Sequence, residues 1–236
     1  MTFIQSFASP AQTAVMSAVS ILGEEMLMIS IMAFLFLCYD KQKGRVMSTG
    51  LIVALLGGMI MKSCFMRRRP YFDNPGIKCL RAPSGKGDVM NVAMQGYSFP
   101  SGHVSSNSGF YGGMIASFRK YWWVIVFGVT MVALTMFSRL YLGVHTPQDV
   151  LVACVIGAGA SILIAFLLSL TDKYKNADII IYIVVCVLVV ALLIYISLKS
   201  YPMDIDEHGK LIVDPKKMTV DGFKDPGVFF GIMTGW

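Results

Sequence analysis

A run of 20 residues without a charged side chain, 179–198, is the feature that most constrains how this chain can fold. Roughly 20 apolar residues are what a helix needs to cross the hydrocarbon core of a bilayer. The whole chain has the same bias, since 56% of its 236 residues are hydrophobic, 14% are charged and the mean hydropathy is +0.65. This composition excludes an ordinary soluble domain. We therefore expect an integral membrane protein.

Five further apolar segments repeat this pattern along the chain. Together they predict an all-α, polytopic transmembrane helix bundle with about six spanning helices. The predicted spans are 21–39, 46–65, 104–118, 122–137, 150–170 and 179–198. Residues 3–20 are interpreted as a helix lying on the outer surface, with a buried core helix as the alternative. Residues 1–236 are predicted to form a single membrane-embedded domain.

Basic residues between the predicted spans indicate the orientation of the bundle. Under the positive-inside rule, loops rich in Lys and Arg face the cytoplasm. Three alternate loops have this character through Lys41, Lys43, Arg45, Arg119, Lys120, Lys173 and Lys175. The first 40 residues contain no Lys or Arg, which suits an external N-terminus and argues against the basic region of a cleaved signal peptide.

Three polar strings interrupt the apolar background at the ends of predicted spans. In the first, Lys62 precedes Arg69-Pro70 by seven residues, so both cations return to one helix face about two turns apart. The proline then ends the helix. Lys offers phosphate a point charge, and the planar Arg fork holds two oxygens at once. The alternative is a snorkelling Lys62 beside a patch of arginines that binds lipid headgroups.

The second string, Pro100-Ser101-Gly102-His103, is typical of a helix N-terminus that binds an anion. Proline suits the first turn, glycine leaves the backbone accessible, and free N–H groups face the ligand with the helix dipole behind them. Ser101 adds a hydroxyl donor, and His103 is placed to protonate a leaving oxygen. A capping or interfacial histidine is the alternative interpretation of His103.

The third string, Ser138-Arg139 followed by His145 and Asp149, supplies a nucleophile. Thr146-Pro147 is interpreted as the N-cap and first residue of the fifth span, which brings Asp149 close to His145. The carboxylate then orients the imidazole for attack, or completes a capping box with Thr146, or does both. Arg139 ends an apolar span and needs an anionic partner there.

All three strings fall on the extracytoplasmic side of the predicted topology, so they can form one site. They fix eleven residue identities in a set order and spacing. Lys-x6-Arg-Pro, Pro-Ser-Gly-His and Ser-Arg-x5-His-x3-Asp resemble the three signature motifs of the type 2 phosphatidic acid phosphatase superfamily of membrane lipid phosphatases. The resemblance covers residues 62–149 by motif and about 46–170 by helical arrangement, the expected catalytic core.

This resemblance implies a metal-independent phosphatase that needs no cofactor and works through a phosphohistidine. By position, His145 would attack phosphorus, Asp149 would orient His145, and His103 would protonate the leaving oxygen and later activate water. The residues that the resemblance assigns to the phosphoryl oxygens are Lys62, Arg69, Ser101, Gly102 and Arg139. The sequence shows no metal-ligand cluster, since the remaining histidine, His208, is isolated in a polar loop.

The expected substrate is a membrane lipid phosphate or diphosphate of the kinds on which the resembled family acts: phosphatidic acid, phosphatidylglycerol phosphate, polyprenyl diphosphates and sphingoid-base phosphates. Three alternatives stay open. They are a phosphatase for a soluble sugar phosphate such as glucose 6-phosphate, a phosphotransferase that passes the group to a lipid or sugar, and an organic-phosphate transporter. No nucleic-acid module is visible, and the oligomeric state is left open.

Two segments lie outside these strings. Loop 71–99 contains several turn signals and is interpreted as a lid that sets selectivity. Residues 201–236 are predicted to be peripheral, and the last eleven, 226–236, are apolar but too few to cross a bilayer as a helix. They are interpreted as an interfacial or re-entrant piece or, the favoured reading, as a segment cut short.

Overall fold

The computed structural model of the protein describes residues 1–81, 96–171, 173–205, 209 and 211–234, and these are mostly helical. The helices are α1 (Thr2–Gln5), α2 (Pro10–Leu22), α3 (Glu25–Phe34), α4 (Lys41–Phe65), α5 (Pro70–Asp73), α6 (Gly102–Ser117), α7 (Trp122–Tyr141), α8 (Pro147–Thr171), α9 (Ala177–Leu198) and α10 (Pro215–Thr234), with a π-helical turn at Leu35–Tyr39. Two short antiparallel strands, β1 (Asp204–Ile205) and β2 (Leu211–Val213), precede α10. The all-α class is therefore confirmed, with this small hairpin as an addition.

Four of the described helices are long and apolar enough to cross a membrane: α4 with its continuation to Asp73, α7, α8 and α9. The two other predicted spans correspond to shorter helices. Leu27–Tyr39 is a short apolar stretch, and α6 has 16 residues. The count of six spanning helices therefore stays a prediction, while the polytopic helical membrane protein is the fold observed.

Helices α4, α6 and α8 pack against one another at the centre of the molecule, and glycines at their contacts allow this. A Cβ added at Gly109 of α6 would lie 2.7 Å from the carbonyl oxygen of Gly50 on α4. A Cβ added at Gly157 of α8 would lie 2.4 Å from the Cβ of Ser108 on α6. Small residues of this kind let backbones approach closely in membrane helix bundles. The three polar strings all lie on or beside helices of this unit.

The N-terminal segment forms two helices where the sequence suggests one. Ser9 and Gln12 form a capping box that starts α2 at Pro10, and the chain between α1 and α2 is not helical. Most of α2 is exposed, whereas Ser20 near its end is buried. The interpretation of residues 3–20 as a single surface helix is therefore corrected in its boundaries.

The C-terminal residues form a structured unit against the C-terminal end of α4. Tyr201, Ile212 and Met218 pack in one buried cluster with Tyr97. Helix α10 contains Pro226 in its interior, so the apolar residues after that proline continue the helix. The sequence instead predicts a separate apolar piece beginning there, because proline usually ends a helix.

Candidate active site

His145 lies between a carboxylate and a guanidinium. Its Nδ1 is 3.6 Å from Oδ2 of Asp149 and 3.4 Å from the hydroxyl of Ser98, while Nη1 of Arg69 lies 3.5 Å from its Nε2. Ser98 donates to Oδ2 of Asp149 at 2.5 Å, and His145, Asp149 and Ser98 are all buried. Since Arg69 faces the Nε2 lone pair, the neutral ring is assigned its proton on Nδ1.

Local structure brings His145 to this position. Helix α7 ends at Tyr141, and the chain turns through Gly143 with a φ of 76°, where an added Cβ would lie 2.2 Å from the Lys78 carbonyl oxygen. Only glycine is compatible with both the left-handed backbone and this close approach. The turn leaves His145 just before α8, pointing back at the helix start.

The start of α8 gives Asp149 both functions that the sequence left open. Its Oδ2 accepts from the Thr146 N–H at 2.8 Å, and its own N–H donates to the Thr146 hydroxyl at 3.3 Å, which is a capping box. The same oxygen faces His145. Because Asp149 is held by its own helix terminus and by Ser98, its carboxylate has a fixed orientation toward the imidazole.

Burial lowers the pKa of His145 to about 3, although the neighbouring Asp149 carboxylate acts in the opposite direction. Arg69 and Arg139 lower the pKa further because they repel the imidazolium. A pKa this far below neutrality means that the ligand-free protein holds His145 as a neutral imidazole at physiological pH. A neutral ring with a free nitrogen lone pair is the form that can act as a nucleophile.

Arg69 of the first string and the nearby Arg67 both lie beside the pair formed by His145 and Asp149. Arg69 is buried and donates to the carbonyl oxygens of Gly96 and Val144, each at 3.1 Å. Arg67 lies 3.6 Å from Oδ1 of Asp149 and donates to Gln148. Met66, in the left-handed conformation, ends α4 and redirects the chain so that these side chains turn toward α8.

The second string lies at the start of α6, as the sequence predicts. Ser101 is the N-cap, Gly102 is the first helical residue, and the Ser101 N–H donates to the Asp149 carbonyl oxygen at 3.2 Å. The Ser101 hydroxyl is buried and has no hydrogen-bond partner among the described residues. A Cβ at Gly102 would meet nothing within 4 Å of the described atoms. This helix terminus therefore has both room and a free hydroxyl for an anion.

His103 and the remaining cations complete the cluster. His103 is half-buried and lies within electrostatic range of Lys62, Arg69, Arg139 and His145. Arg139 is buried and donates to the Ser20 hydroxyl at 2.6 Å. Lys62 is half-buried and interacts with Arg69. Direct contacts thus join His145 to Arg69 and Asp149, and Ser101 to Asp149. Lys62 and Arg139 lie within electrostatic range of His103.

Several contributors to the site were missed by sequence reasoning. Ser98 and Arg67 bind Asp149, and Ser20 binds Arg139. The Asp221 and Asp225 carboxylates of α10 lie within electrostatic range of Lys62. Because Ser98 stands two residues before Pro100, its place beside the second string could have been predicted from the sequence. The other contacts join segments far apart in sequence, and no local pattern predicts them.

Two further expectations concern the surroundings of the site. Among the residues that the structure describes, no group of three or more His, Cys, Asp and Glu is arranged to hold a metal ion. Residues 82–95 of the predicted selectivity loop and His208 lie outside the described residues. The lid interpretation of loop 71–99 therefore stays a prediction.

Comparison with models of protein families identifies the family of this chain. The PAP2 superfamily model matches residues 43–173, more than half of the chain and all three strings. The chain belongs to the PAP2 superfamily. The family resemblance carried by the motifs is thereby confirmed, and the match leaves residues 1–42 and 174–236 outside it.

Two curated relatives are similar over part of their length. The chain is 27% identical over 143 residues to an undecaprenyl-diphosphatase of Sulfolobus acidocaldarius, covering 60% of this chain and 63% of that protein. It is 35% identical over 72 residues to a lipid A 4'-phosphatase of Bacteroides thetaiotaomicron, covering 30% of this chain and 32% of that protein. The chain thus spans less than two thirds of either curated relative.

Two solved structures share the fold of this PAP2 protein. LpxE of Aquifex aeolicus superposes with a TM-score of 0.58 at 20% identity, covering 69% of this chain and 90% of that one. The first transmembrane PAP2-type phosphatidylglycerolphosphate phosphatase from Bacillus subtilis gives a TM-score of 0.55 at 23% identity, covering 73% and 83%. Together with the apolar helices, these likenesses establish an integral membrane protein of the PAP2 fold.

Proposed function

We propose that this PAP2 protein is an integral-membrane phosphatase that hydrolyses a lipid phosphate monoester or diphosphate through a covalent phosphohistidine. The observation that carries the proposal is the buried His145, with Asp149 beside Nδ1 and the Arg69 guanidinium beside Nε2. Phosphoryl transfer is mostly positioning and charge stabilisation, and this arrangement supplies both.

The negative charge of the bound phosphate offsets the cations around His103 and lets its imidazole hold a second proton. In the first step, Nε2 of His145 attacks phosphorus. A P–N bond forms, the P–O bond to the lipid breaks, and the imidazolium of His103 gives this proton to the leaving oxygen. Asp149 stabilises the positive charge that develops on the imidazole through its contact at Nδ1. In this proposal the phosphoryl oxygens are bound by Lys62, Arg69, Ser101, Gly102 and Arg139.

In the second step, water releases the phosphate. His103, now lacking its proton, accepts one from the attacking water, a P–O bond forms, and the P–N bond to His145 breaks. Inorganic phosphate leaves, and both histidines return to their starting protonation states. The same residue thus acts first as general acid and then as general base.

Protein cations take the place that a metal ion has in many phosphatases. Lys62, Arg69 and Arg139 all lie within electrostatic range of His103, which is the second residue of α6. In this proposal they bind the phosphoryl group together with backbone N–H groups of the α6 terminus. This supports a metal-independent, cofactor-free reaction. Bound phosphate adds negative charge beside these cations. Their attraction to the phosphate then offsets their repulsion of one another.

A lipid substrate is supported by the position of the site at the ends of membrane helices. His145 lies between the candidate spans α7 and α8, so a headgroup can reach it while the acyl or prenyl chains stay in the bilayer. The relatives are by name phosphatases of lipid phosphates or diphosphates. We place the site on the extracytoplasmic side, with the N-terminus external, because the basic loops lie at the opposite helix ends.

The test is phosphate release by the purified protein in detergent, with chelator present. The panel contains phosphatidic acid, phosphatidylglycerol phosphate, a polyprenyl diphosphate, a sphingoid-base phosphate and glucose 6-phosphate. We expect turnover of at least one lipid in chelator. His145→Ala should abolish turnover by a factor of about 10⁴ or more and leave phosphate binding largely intact.

Each other outcome has a distinct meaning for the proposal. Phosphate release that survives in His145→Ala would refute the phosphohistidine, and a strict requirement for added divalent ions would refute metal independence. Preference for glucose 6-phosphate would replace the lipid substrate. Transfer to an added lipid or sugar in place of water would identify a phosphotransferase, and transport without hydrolysis would identify a carrier.

A further inference from the structure

Helix α2 turns one polar face toward the active site. Its hydroxyl residues Thr13, Ser17 and Ser20 follow one another by four and three residues, the spacing that places side chains on one face of a helix. The rest of α2 is mainly apolar and largely exposed. A polar face on such a helix is the face expected to have hydrogen-bond partners inside the protein.

That face is bonded to the end of α7 that carries the third string. The hydroxyl of Thr13 lies 3.3 Å from that of Tyr141, and Ser138 donates to the Met16 carbonyl oxygen at 2.8 Å. Arg139 donates from Nη1 to the Ser20 hydroxyl at 2.6 Å. These contacts span more than 100 residues of sequence. Through these contacts, the polar face of α2 packs against the end of α7 that carries Arg139.

The contact between Ser20 and Arg139 is the most buried of the three. Ser20 and Arg139 are each 1% exposed, so neither side chain can exchange this bond for one to water. An arginine side chain has many rotamers, and a short hydrogen bond to one terminal nitrogen restricts them. A guanidinium carries five N–H donors, and this bond uses one of them.

The chemistry of the acceptor matters as much as its position. Arg139 lies within electrostatic range of two more cations, Arg69 and Arg81, and of the Glu24 carboxylate, which is itself paired with Arg81 at 3.1 Å. A carboxylate at the position of Ser20 would also fix Arg139, but it would cancel the positive charge that a phosphoryl group needs. A neutral hydroxyl orients the guanidinium and leaves its charge available.

We propose that Ser20 is a positioning residue of the phosphate site, whose hydroxyl holds the Arg139 guanidinium toward the phosphoryl group. This inference rests on the phosphate-binding role proposed for Arg139. Ser20 lies in the N-terminal segment outside the PAP2 match at residues 43–173. The N-terminal helix is thus a working part of the site, supplied by residues that the family motifs do not include.

The test compares variants of one face of α2 in the full-length protein. Ser20→Ala removes the acceptor, and Ser20→Thr restores a hydroxyl. Ser17→Ala is the matched control, because the Ser17 contact with Arg81 is made by the backbone carbonyl, which alanine keeps. Binding of inorganic phosphate is measured by the phosphate-dependent rise in thermal midpoint, which needs no turnover.

We expect Ser20→Ala to weaken phosphate binding by roughly tenfold, in line with loss of a buried hydrogen bond to a charged group. Ser20→Thr should recover most of that loss, and Ser17→Ala should match the wild type. For turnover, the Ser20→Ala defect should fall on KM and kcat together, since Arg139 binds both the substrate and the transition state. If Ser20→Ala does not fold, Ser20→Cys, of similar size and weaker as an acceptor, should show an intermediate loss.

Equal phosphate binding in Ser20→Ala and Ser17→Ala would overturn the proposal. A second result would also overturn it: Ser20→Ala lowers the thermal midpoint without phosphate, Ser20→Thr does not restore that midpoint, and the phosphate-dependent rise is unchanged. Such a result would show that Ser20 contributes to packing alone. Failure of the proposed function has a different signature. In that case the wild type turns over no lipid phosphate, while the effect of Ser20 on phosphate binding remains measurable.

Discussion

At the scale of single residues, the site depends on buried polar contacts that hold charged groups in one orientation. Asp149 is completely buried, and its Oδ2 accepts from both Ser98 and the Thr146 N–H while it faces His145. A buried carboxylate that loses one of these donors keeps its desolvation cost and loses part of its compensation. Ser98 is therefore expected to matter for turnover although it does not touch phosphorus.

Ser98→Ala should lower kcat by roughly 10–100-fold, because a hydrogen bond to a charged group contributes about 1.5–3 kcal/mol. The carboxylate then keeps its place in the capping box but loses the donor that fixes its rotation toward His145. Steady-state phosphate release measures the effect. Ser108→Ala is the matched control, since Ser108 is also buried and its hydroxyl has no partner among the described residues. Equal activity of the two variants would contradict the assigned function of Ser98.

At the scale of helices, glycines decide how closely α8 packs on α6. Gly157 has no room for a side chain, since an added Cβ would lie 2.4 Å from Ser108 Cβ and 2.6 Å from the Ser105 carbonyl oxygen. Gly159, two residues further along α8, has nothing within 4 Å of its added Cβ among the described atoms. The same helix therefore has one glycine without room for a side chain and one glycine with room for it.

Gly157→Ala should destabilise the protein by about 1–3 kcal/mol, because backbone atoms of α6 would have to move. The movement would also shift the start of α6, where Ser101 and Gly102 lie, so phosphate binding should weaken. Gly159→Ala should be neutral or stabilising by up to about 1 kcal/mol, the helix propensity difference between the two residues. Thermal unfolding in detergent measures both, and an unchanged midpoint in Gly157→Ala would contradict the packing described here.

At the scale of the whole molecule, the ends of the helices separate two kinds of charge. The active-site residues lie at the C-terminal ends of α4 and α7 and the N-terminal ends of α6 and α8. At the opposite ends, Lys43 lies 4.9 Å from the centre of the Phe118 ring, and a cavity of about 260 Å³ is lined by Lys43, Arg119 and Lys120. The two nearby basic loops thus lie at one end of the bundle, and the positive-inside rule predicts that this end faces the cytoplasm.

The orientation itself is tested by labelling single cysteines in a variant that lacks the five natural ones. Asn74→Cys and Lys120→Cys place thiols at exposed positions near opposite ends of the bundle. A membrane-impermeant maleimide should label residue 74 in intact cells and residue 120 only after permeabilisation. The reverse pattern would place the active site on the cytoplasmic side.

Several features of this protein are determined by local sequence. The membrane class follows from apolar runs longer than a bilayer is thick, and the start of α8 at Pro147 follows from the Thr146 cap. The three strings predict which residues can bind and transfer phosphate, because fixed spacings on a helix place side chains on one face. The boundaries of the N-terminal helices and the passage of α10 through Pro226 were not predicted in this way, since they depend on contacts with the rest of the bundle.

Only the tertiary structure decided which distant groups support those residues. Arg139 donates to Ser20 across 119 residues of sequence, and Ser98 donates to Asp149 across 51. Two carboxylates of α10 lie within electrostatic range of Lys62. A hydrogen bond between two packed helices depends on their rotation and depth, which hydropathy and capping signals do not encode. The sequence by itself therefore determined the chemistry available to this PAP2 protein, and helix packing determined how that chemistry is oriented.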